Sequence, residues 1–317
     1  MDKTIDCVVC GSCVVDILVR PVPLDTHIGV GEMIRTEPLM LTTGGMVSNA
    51  GIALAKLGMR ATAFTYVGND AWADVVRSRY EAAGLDTTYL RTHPEMPTST
   101  TAVIIDDTGN RSFLHAVGAP KAIDKFFFLD NLDLFKRSRA MLLGYYPLLP
   151  NLLDDLPEVL AAIQATGCRT ALDSAGGGGT MEPLTRCLPH LDYYVPSIAE
   201  AQQQTGESDP QQMIRRYRES GATQFVGIKL GTQGALLSPS SNKFLEIPAI
   251  TPPGKVIDTT GAGDCFFGGL LAGILRGLPA EEAGRLAAAA GAYCVTGLGA
   301  TTALQDFATT MHLASTS

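Results

Sequence analysis

The chain has 317 residues, of which 46% are hydrophobic and 18% charged, and its formal net charge is −8. This composition supports one large α/β domain with a sizeable core and excludes a mainly disordered chain. The acidic balance and the lack of a basic run argue against a nucleic-acid partner. The first residues lack a signal-peptide pattern, and no apolar run reaches the ~18 residues of a membrane span. We therefore expect a soluble, cytoplasmic protein with no membrane partner.

Short apolar runs alternate with amphipathic stretches along the chain. The predicted strands cover residues 5–10, 62–67, 100–106, 111–117, 139–144, 169–173, 192–196, 224–229, 234–238 and 243–247. The predicted helices cover residues 46–57, 71–83, 152–166, 180–188, 198–205, 210–220, 262–276 and 280–297. Strands that alternate with helices predict a mainly parallel sheet covered on both faces, and we expect one domain over residues 1–317.

Two segments break this alternation and predict a small separate β-sheet. Residues 12–42 hold strand-like pieces without a helix, and residues 97–117 predict a hairpin that turns at 106–110. The obvious use of such a sheet is a lid over a pocket, because a group-transfer reaction must exclude water.

Three cysteines near the N-terminus, Cys7, Cys10 and Cys13, have a spacing found in iron–sulfur and redox sites. Cys7 and Cys10 lie in an apolar strand, where residues three apart point to opposite faces. No fourth ligand follows at a useful spacing. We therefore expect buried free thiols.

Candidate binding residues follow in the first sixth of the chain. Asp16 interrupts the apolar run 14–18, and a carboxylate there is costly unless it has a partner. It is either an exposed charge on a lid strand or part of a binding site. Gly44 and Gly45 precede a predicted helix, with Asn49 one turn in. Glycine lets a ligand approach the backbone, and a strand-to-helix turn with a locally bonded Asn49 is the structural alternative.

Two later loops have simple structural explanations. Ser197 and Glu200 have the Ser-x-x-Glu spacing of a capping box at a helix start. Lys229 and Gly231 follow a predicted strand, and Gly234 opens the next one. A plain β-turn with a surface lysine explains that loop without any function.

The most informative segment is Asp258-Thr-Thr-Gly-Ala-Gly-Asp264, which leads into an apolar helix. The free N–H groups of residues 261–264 can hold an anion, and Asp264 can accept a proton beside it. An anion site next to a base is what phosphoryl transfer to an alcohol requires. The structural alternative is a tight turn with Asp264 as a capping residue. The segment matches neither the P-loop nor the Gly-x-Gly-x-x-Gly motif.

This segment resembles the C-terminal signature of the ribokinase-like, PfkB-type carbohydrate kinases, and residues 44–58 resemble their N-terminal signature. Further family-like segments lie at 67–70, 97–101, 229–234 and 288–300. The resemblance implies a ribokinase-like three-layer α/β/α sandwich with a mainly parallel sheet and a small β-sheet lid. It also implies ATP-dependent phosphorylation of a primary hydroxyl of a sugar or sugar-derived small molecule, with Mg²⁺ as cofactor.

The resemblance implies a role for each matching residue. Asp264 would be the catalytic base, beside an anion site made by the N–H groups of Gly261, Ala262 and Gly263. The residues that would hold the acceptor are Asp16, Gly44, Gly45 and Asn49. Those that would contact the nucleotide are Lys229, Gly231, Gly234 and Thr260. Glu200 would act on Mg²⁺ through water, and the positions that match a monovalent cation site, for K⁺, are Asp258, Thr260, Cys294 and Gly299.

The chain departs from the family pattern at Ser197, where the family has Asn, which leaves the handling of Mg²⁺ open. One alternative function is a nucleoside kinase of the same superfamily, which calls for aromatic residues facing the acceptor. The lid segments offer only Phe113.

Another alternative is a catalytically silent sugar-binding regulatory protein, although the base and the anion site are both intact. A dinucleotide-binding oxidoreductase would need Gly-x-Gly-x-x-Gly after the first strand, where the chain reads Gly11-Ser-Cys-Val. The resemblance further implies a homodimer that pairs through the lid.

Overall fold

The computed structural model describes residues 3–25, 31, 33–174, 179–222 and 224–317. Residues 26–30 and 32 of the predicted lid segment therefore lie outside the described residues. The strands, in chain order, are β1 (Ile5–Gly11), β2 (Val14–Val19), β3 (Met40–Gly44), β4 (Ala61–Val67), β5 (Leu90–Thr92), β6 (Thr100–Ile105), β7 (Arg111–Ala116), β8 (Ser138–Gly144), β9 (Arg169–Asp173), β10 (Tyr193–Tyr194), β11 (Phe225–Lys229), β12 (Ala235–Ser240) and β13 (Lys243–Ile247). The α-helices are α1 (Gly45–Lys56), α2 (Ala71–Ala82), α3 (Lys125–Leu129), α4 (Leu132–Lys136), α5 (Leu156–Ala165), α6 (Met181–Cys187), α7 (Ile198–Thr205), α8 (Pro210–Glu219), α9 (Ala262–Leu275), α10 (Ala280–Cys294) and α11 (Phe307–Thr316).

Nine strands form the larger sheet, in the order β13-β12-β11-β10-β9-β8-β1-β4-β5. The pairs β11–β12 and β12–β13 are antiparallel, and the other pairs are parallel. Helices α1, α2 and α9 to α11 pack on one face, and α3 to α8 pack on the other. A hydrophobic core lies on each face of the sheet. Side chains of β1 point alternately into the two cores, so Cys7 lies in one core and Cys10 in the other. The predicted three-layer sandwich is confirmed, and both thiols are buried, as expected.

The lid is a separate sheet with the order β3-β2-β6-β7. Its two chain segments join through the parallel pair β2–β6, and β7 completes the predicted hairpin. Asp16, Thr101 and His115 face each other across β2, β6 and β7, so all three lie on the same face of the lid. The prediction that residues 12–42 and 97–117 pair as a small sheet is confirmed.

Some boundaries differ from the prediction for identifiable reasons. Helix α5 begins at Leu156 and not at 152, because Pro157 suits the first turn of a helix but not its interior. The sequence pattern missed the short edge strand β5, the two five-residue helices α3 and α4, and the C-terminal helix α11. In the described part of the chain, no helix combines the length and apolarity that crossing a membrane requires.

Candidate active site

The site lies at the carboxyl ends of the parallel strands, where open α/β sheets usually bind ligands. Strands β8, β9 and β11 end here, at Gly144, Asp173 and Lys229. Opposite them, helix α9 begins with its N-terminus directed at the same space. A pocket of about 880 Å³ lies between these elements.

Glycine at position 261 allows helix α9 to start where it does. Gly261 is the N-cap and has a left-handed backbone with φ of 76°. A Cβ there would lie 2.3 Å from the Cβ of Ala300, so both the conformation and the space call for glycine. The next residues, Ala262, Gly263 and Asp264, form the first helical turn and line the pocket. First-turn N–H groups lack partners within their helix, so this start can hold an anion, as the sequence predicts.

Asp264 is a buried carboxylate at this helix start. Its Oδ2 accepts hydrogen bonds from Asn49 Nδ2 and from the Tyr145 hydroxyl, each at 2.7 Å. Burial raises the pKa of Asp264, while those two hydrogen bonds and the charge of Lys229 act against the rise. Asn49 Oδ1 is buried and has no hydrogen-bond partner among the described residues, so it offers a ligand an unused acceptor.

Lys229 forms a buried ion pair with Asp173 in the pocket wall. Its Nζ lies 2.9 and 3.2 Å from the two carboxylate oxygens, and its side chain is only 11% exposed. Burial raises the pKa of Asp173 to about 7. Burial lowers the pKa of Lys229, but the carboxylates of Asp173, Glu200 and Asp264 outweigh this and raise it. The surface-lysine alternative is therefore wrong.

The ammonium of Lys229 is adjacent to the anion-binding turn. A Cβ added to Gly263 would lie 3.4 Å from Lys229 Nζ. An anion held by the first-turn N–H groups would thus have a fixed cation beside it. Gly231 follows in the same loop, has φ of 61° and lines the pocket. Gly234 ends the same β11–β12 loop but does not line the pocket, and a Cβ there would lie 2.0 Å from the Ile247 carbonyl oxygen.

Ser197 and Glu200 form the predicted capping box at the start of α7, and both line the pocket. The Ser197 N–H donates to Glu200 Oε2 at 2.7 Å, and the Glu200 N–H donates to Ser197 Oγ at 3.4 Å. Among the described residues, no group of three or more His, Cys, Asp or Glu side chains could hold a metal ion. Glu200, one of three carboxylates that line the pocket, is sufficient for Mg²⁺, because proteins commonly hold that ion through one or two carboxylates together with substrate phosphates.

Asp258 has its counter-charge in a lid residue that the sequence did not suggest. Arg111 Nη1 lies 2.7 Å from Asp258 Oδ1 and 2.5 Å from Thr260 Oγ1. Gly299 N–H donates to Asp258 Oδ2 at 2.9 Å, and Cys294 Sγ lies 3.4 Å from the Thr260 carbonyl oxygen. The four residues predicted around a monovalent cation therefore do converge. The Asp258 carboxylate and the Thr260 carbonyl already accept hydrogen bonds here, and the cation itself stays a prediction.

The predicted acceptor residues lie at the junction between lid and body. A Cβ on Gly44 would lie 2.3 Å from Asp16 Oδ2, so glycine here lets that carboxylate approach the backbone. Gly45 has φ of 81°, and a Cβ there would lie 2.5 Å from the Ser12 carbonyl oxygen. Burial raises the pKa of Asp16 to about 6, although a hydrogen bond with Thr101 acts against the rise.

The structure brings most predicted residues together but places them in two groups. Those that line the pocket are Gly261, Ala262, Gly263, Asp264, Glu200, Lys229 and Gly231. Asp16, Gly44, Gly45 and Asn49 do not line it, and Asn49 connects the two groups through Asp264. Sequence reasoning missed Asp173, Tyr145 and Arg111. Asp173 ends a predicted strand and Tyr145 follows one, and that position was an available signal.

The chain matches the description "pfkB family carbohydrate kinase" over residues 5–306. It is 29% identical over 308 residues to a ribokinase from Arabidopsis thaliana, covering 94% of this chain and 78% of that protein. It is 29% identical over 299 residues to an aminoimidazole riboside kinase from Salmonella typhimurium, covering 82% and 84%. The structure of Arabidopsis thaliana ribokinase complexed with ribose and ATP superposes with a TM-score of 0.85 and 26% identity, covering 100% of both chains.

The fold and the helix-start site thus define a ribokinase-like kinase architecture, as the sequence motifs predicted. The chain belongs to the pfkB family of carbohydrate kinases. Its relatives include kinases of a sugar and of a riboside.

Proposed function

We propose that the protein transfers the γ-phosphoryl group of ATP to a primary hydroxyl of a sugar or sugar-derived small molecule. The observation that carries this proposal is the position of Asp264. It lies in the first turn of α9, beside backbone N–H groups that have no acceptor within their helix, and Asn49 and Tyr145 orient its carboxylate. A base and an anion site are thereby joined in a single turn of helix.

In the proposed reaction, Asp264 accepts the proton of the acceptor hydroxyl. The alcohol oxygen forms a bond to the γ-phosphorus, and the bond between that phosphorus and the β–γ bridging oxygen breaks to release ADP. The N–H groups of Gly261, Ala262 and Gly263 and the ammonium of Lys229 stabilise the charge that develops on the transferred group. Bound Mg²⁺, held by the phosphates and through water by Glu200, would neutralise further phosphate charge.

The acceptor is assigned to the junction of lid and body. Asp16 lies beside Gly44 on the lid, and its ionised carboxylate can accept hydrogen bonds from two hydroxyl groups. Asn49 offers the unpaired Oδ1 from the body side. The lid strands above these residues would exclude water from the phosphoryl group.

The substitution Asp264→Asn tests the mechanism. It keeps the side-chain shape but removes the base, so we expect turnover to fall by about 10²–10⁴-fold with the protein still folded. Asp306→Asn serves as the control, because Asp306 is the N-cap of α11 and Asn caps helices equally well. Turnover of Asp264→Asn close to that of wild type would refute the role of Asp264.

A nucleoside acceptor is the second candidate, and one observation favours it. Phe113 of the lid and Tyr145 of the body both line the pocket, so it has two aromatic side chains where the lid sequence offered one. A panel of free sugars, sugar acids and nucleosides, each assayed for ATP consumption, separates the candidates. Turnover of nucleosides alone would replace the sugar proposal, and turnover of free sugars alone would remove the second candidate.

A further inference from the structure

Tyr145 has an unusual backbone conformation for its residue type. Its φ is 60° and ψ is 37°, in the left-handed region. Among the described residues, it is the sole non-glycine with a positive φ. Glycine and asparagine adopt this region with less strain, so a tyrosine there calls for a specific reason.

Contacts on both sides hold this strained backbone in place. The Tyr145 N–H donates to the Asp173 carbonyl oxygen at 3.0 Å, and its own carbonyl accepts from Leu148 N–H at 2.9 Å. The preceding residue, Gly144, packs so closely that a Cβ would lie 2.0 Å from Met46 Cγ. The end of β8 and the following turn therefore fix the direction in which the Tyr145 ring points.

The ring points at the candidate base. The Tyr145 hydroxyl donates to Asp264 Oδ2 at 2.7 Å, and Asn49 Nδ2 on helix α1 donates to the same oxygen at the same distance. Oδ1 of Asp264 accepts no side-chain hydrogen bond from the described residues, and Asp264 lines the pocket. Burial and the nearby Asp264 charge raise the pKa of Tyr145, so the phenol stays protonated and acts as a donor.

We propose that Tyr145 is a positioning residue for phosphoryl transfer: with Asn49 it anchors Oδ2 of Asp264, so that Oδ1 is the oxygen that accepts the hydroxyl proton. This inference rests on the proposed function. It explains why a tyrosine occupies a left-handed position, since the shorter side chains that suit such a backbone would not supply the phenol hydroxyl.

The same contact stabilises the ionised form of Asp264. The other charged or titratable groups around it are Lys229 on β11, Asp173 on β9, Glu200 on α7 and Cys265 on α9. Lys229 favours the carboxylate, and Glu200 disfavours it. Loss of the phenol removes one of the stabilising hydrogen bonds, so the pKa of Asp264 must rise, and the acid limb of the kcat–pH profile must move to higher pH.

Tyr145→Phe tests the proposal, with Tyr146→Phe as the matched control. Tyr146 is the adjacent residue, is also buried and packs in the core on the other face of the sheet. For Tyr145→Phe we expect kcat at pH 7 to fall about 10-fold and the acid limb to rise by about one pH unit. The KM for ATP should stay unchanged, and Tyr146→Phe should keep the wild-type profile.

A second measurement does not depend on turnover. The ¹³C carboxyl NMR signal of Asp264 is identified by its loss in Asp264→Asn and is followed against pH in the protein without ligands. Tyr145→Phe should raise the pH at the midpoint of this titration. If that variant does not fold, Tyr145→Asn removes the same hydroxyl and suits the left-handed backbone. A raised KM for the acceptor with an unmoved acid limb and midpoint would overturn the proposal, because Tyr145 would then only contact substrate. A wild-type protein inactive with every acceptor would refute the proposed function but leave the titration result intact.

Discussion

Asp16 is a half-buried carboxylate on the face of the lid that carries Thr101 and His115. Burial raises the pKa of Asp16 to about 6, the hydrogen bond with Thr101 opposes that rise, and the charge of Asp258 adds to it. Above that pKa the carboxylate can accept hydrogen bonds from two hydroxyl groups, and below it the protonated group loses part of that capacity. Under the proposed function, Asp16 therefore links acceptor binding to pH.

We expect the KM for the acceptor to rise as pH falls through about 6, while the KM for ATP does not follow. Asp16→Asn should raise the acceptor KM at pH 8 by about 10–100-fold, because a charge-assisted hydrogen bond is lost. It should also abolish the pH dependence. Steady-state kinetics from pH 5 to 8 with both proteins measure this. A variant that keeps the wild-type pH dependence would assign it to another group, such as Asp173, whose pKa is about 7.

At the scale of single residues, prediction from sequence worked where a residue's role depends on its neighbours in the chain. Gly261 and Asp264 were placed correctly because a helix start is a local feature. The Lys229–Asp173 ion pair joins residues that are 56 positions apart. The sequence allowed a surface position for Lys229, because the burial of this lysine depends on strands that meet only in the folded sheet. Tyr145 had no local signal for its backbone strain, since the sequence pattern around it predicts only the end of a strand.

Strand β7 of the lid contacts the turn that precedes α9 through the side chain of its first residue. Arg111, its first residue, bonds to both Asp258 and Thr260 across that junction. Burial alone would raise the pKa of Asp258, but hydrogen bonds from Thr260 and Gly299 and the charge of Arg111 lower it. A lid strand thus neutralises a carboxylate that helps to shape the anion-binding turn. The predicted monovalent cation stays a prediction. Because Arg111 already supplies a positive charge here, we propose that its guanidinium takes the place of the cation.

We expect wild-type activity to be equal in K⁺ and in Na⁺ buffers of the same ionic strength. Arg111→Ala leaves Asp258 without its counter-charge, so we expect kcat/KM to fall by about 10-fold and K⁺ to restore part of it. Arg111→Lys, the control, keeps the charge and should show little response to K⁺. Steep activation of the wild-type enzyme by K⁺ would show that a cation site exists alongside Arg111.

At the scale of elements, the alternation of apolar runs with amphipathic stretches predicted the sheet and most of its helices. It did not predict very short elements or pairings between distant segments. Strand β10 has two residues although five were predicted, because pairing with β9 and β11 is short there. The edge strand β5 has three residues, which is too short to show the alternation of apolar and polar residues that predicts a strand. The parallel pairing of β2 with β6 joins residues more than eighty apart in sequence, and no local signal specifies it.

The whole molecule presents one lid face to the pocket and another away from it. Side chains alternate along β7, so Arg111 and Phe113 point to the pocket side while Leu114 points away. Leu114 is 66% exposed and pairs with Ala102 of β6. Among the described residues, strand β7 is also the edge of the lid sheet, and one side of its backbone has no partner strand. Edge strands and exposed apolar side chains favour association, so the predicted homodimer is proposed through this face.

Light scattering after size exclusion tests the homodimer directly. We expect a mass twice the chain mass of 33.5 kDa. Leu114→Asp places a charge on the apolar face of the lid and should give the monomer mass. Phe126→Asp is the matched control, because Phe126 is a comparably exposed apolar residue on α3, outside the lid. A monomeric wild-type protein at all concentrations would rule out the dimer, and a dimer that survives Leu114→Asp would place the interface elsewhere.

If the lid carries both the dimer contact and Asp16, the monomeric variant should also show a raised KM for the acceptor, because the position of the lid and the binding of the acceptor are then coupled.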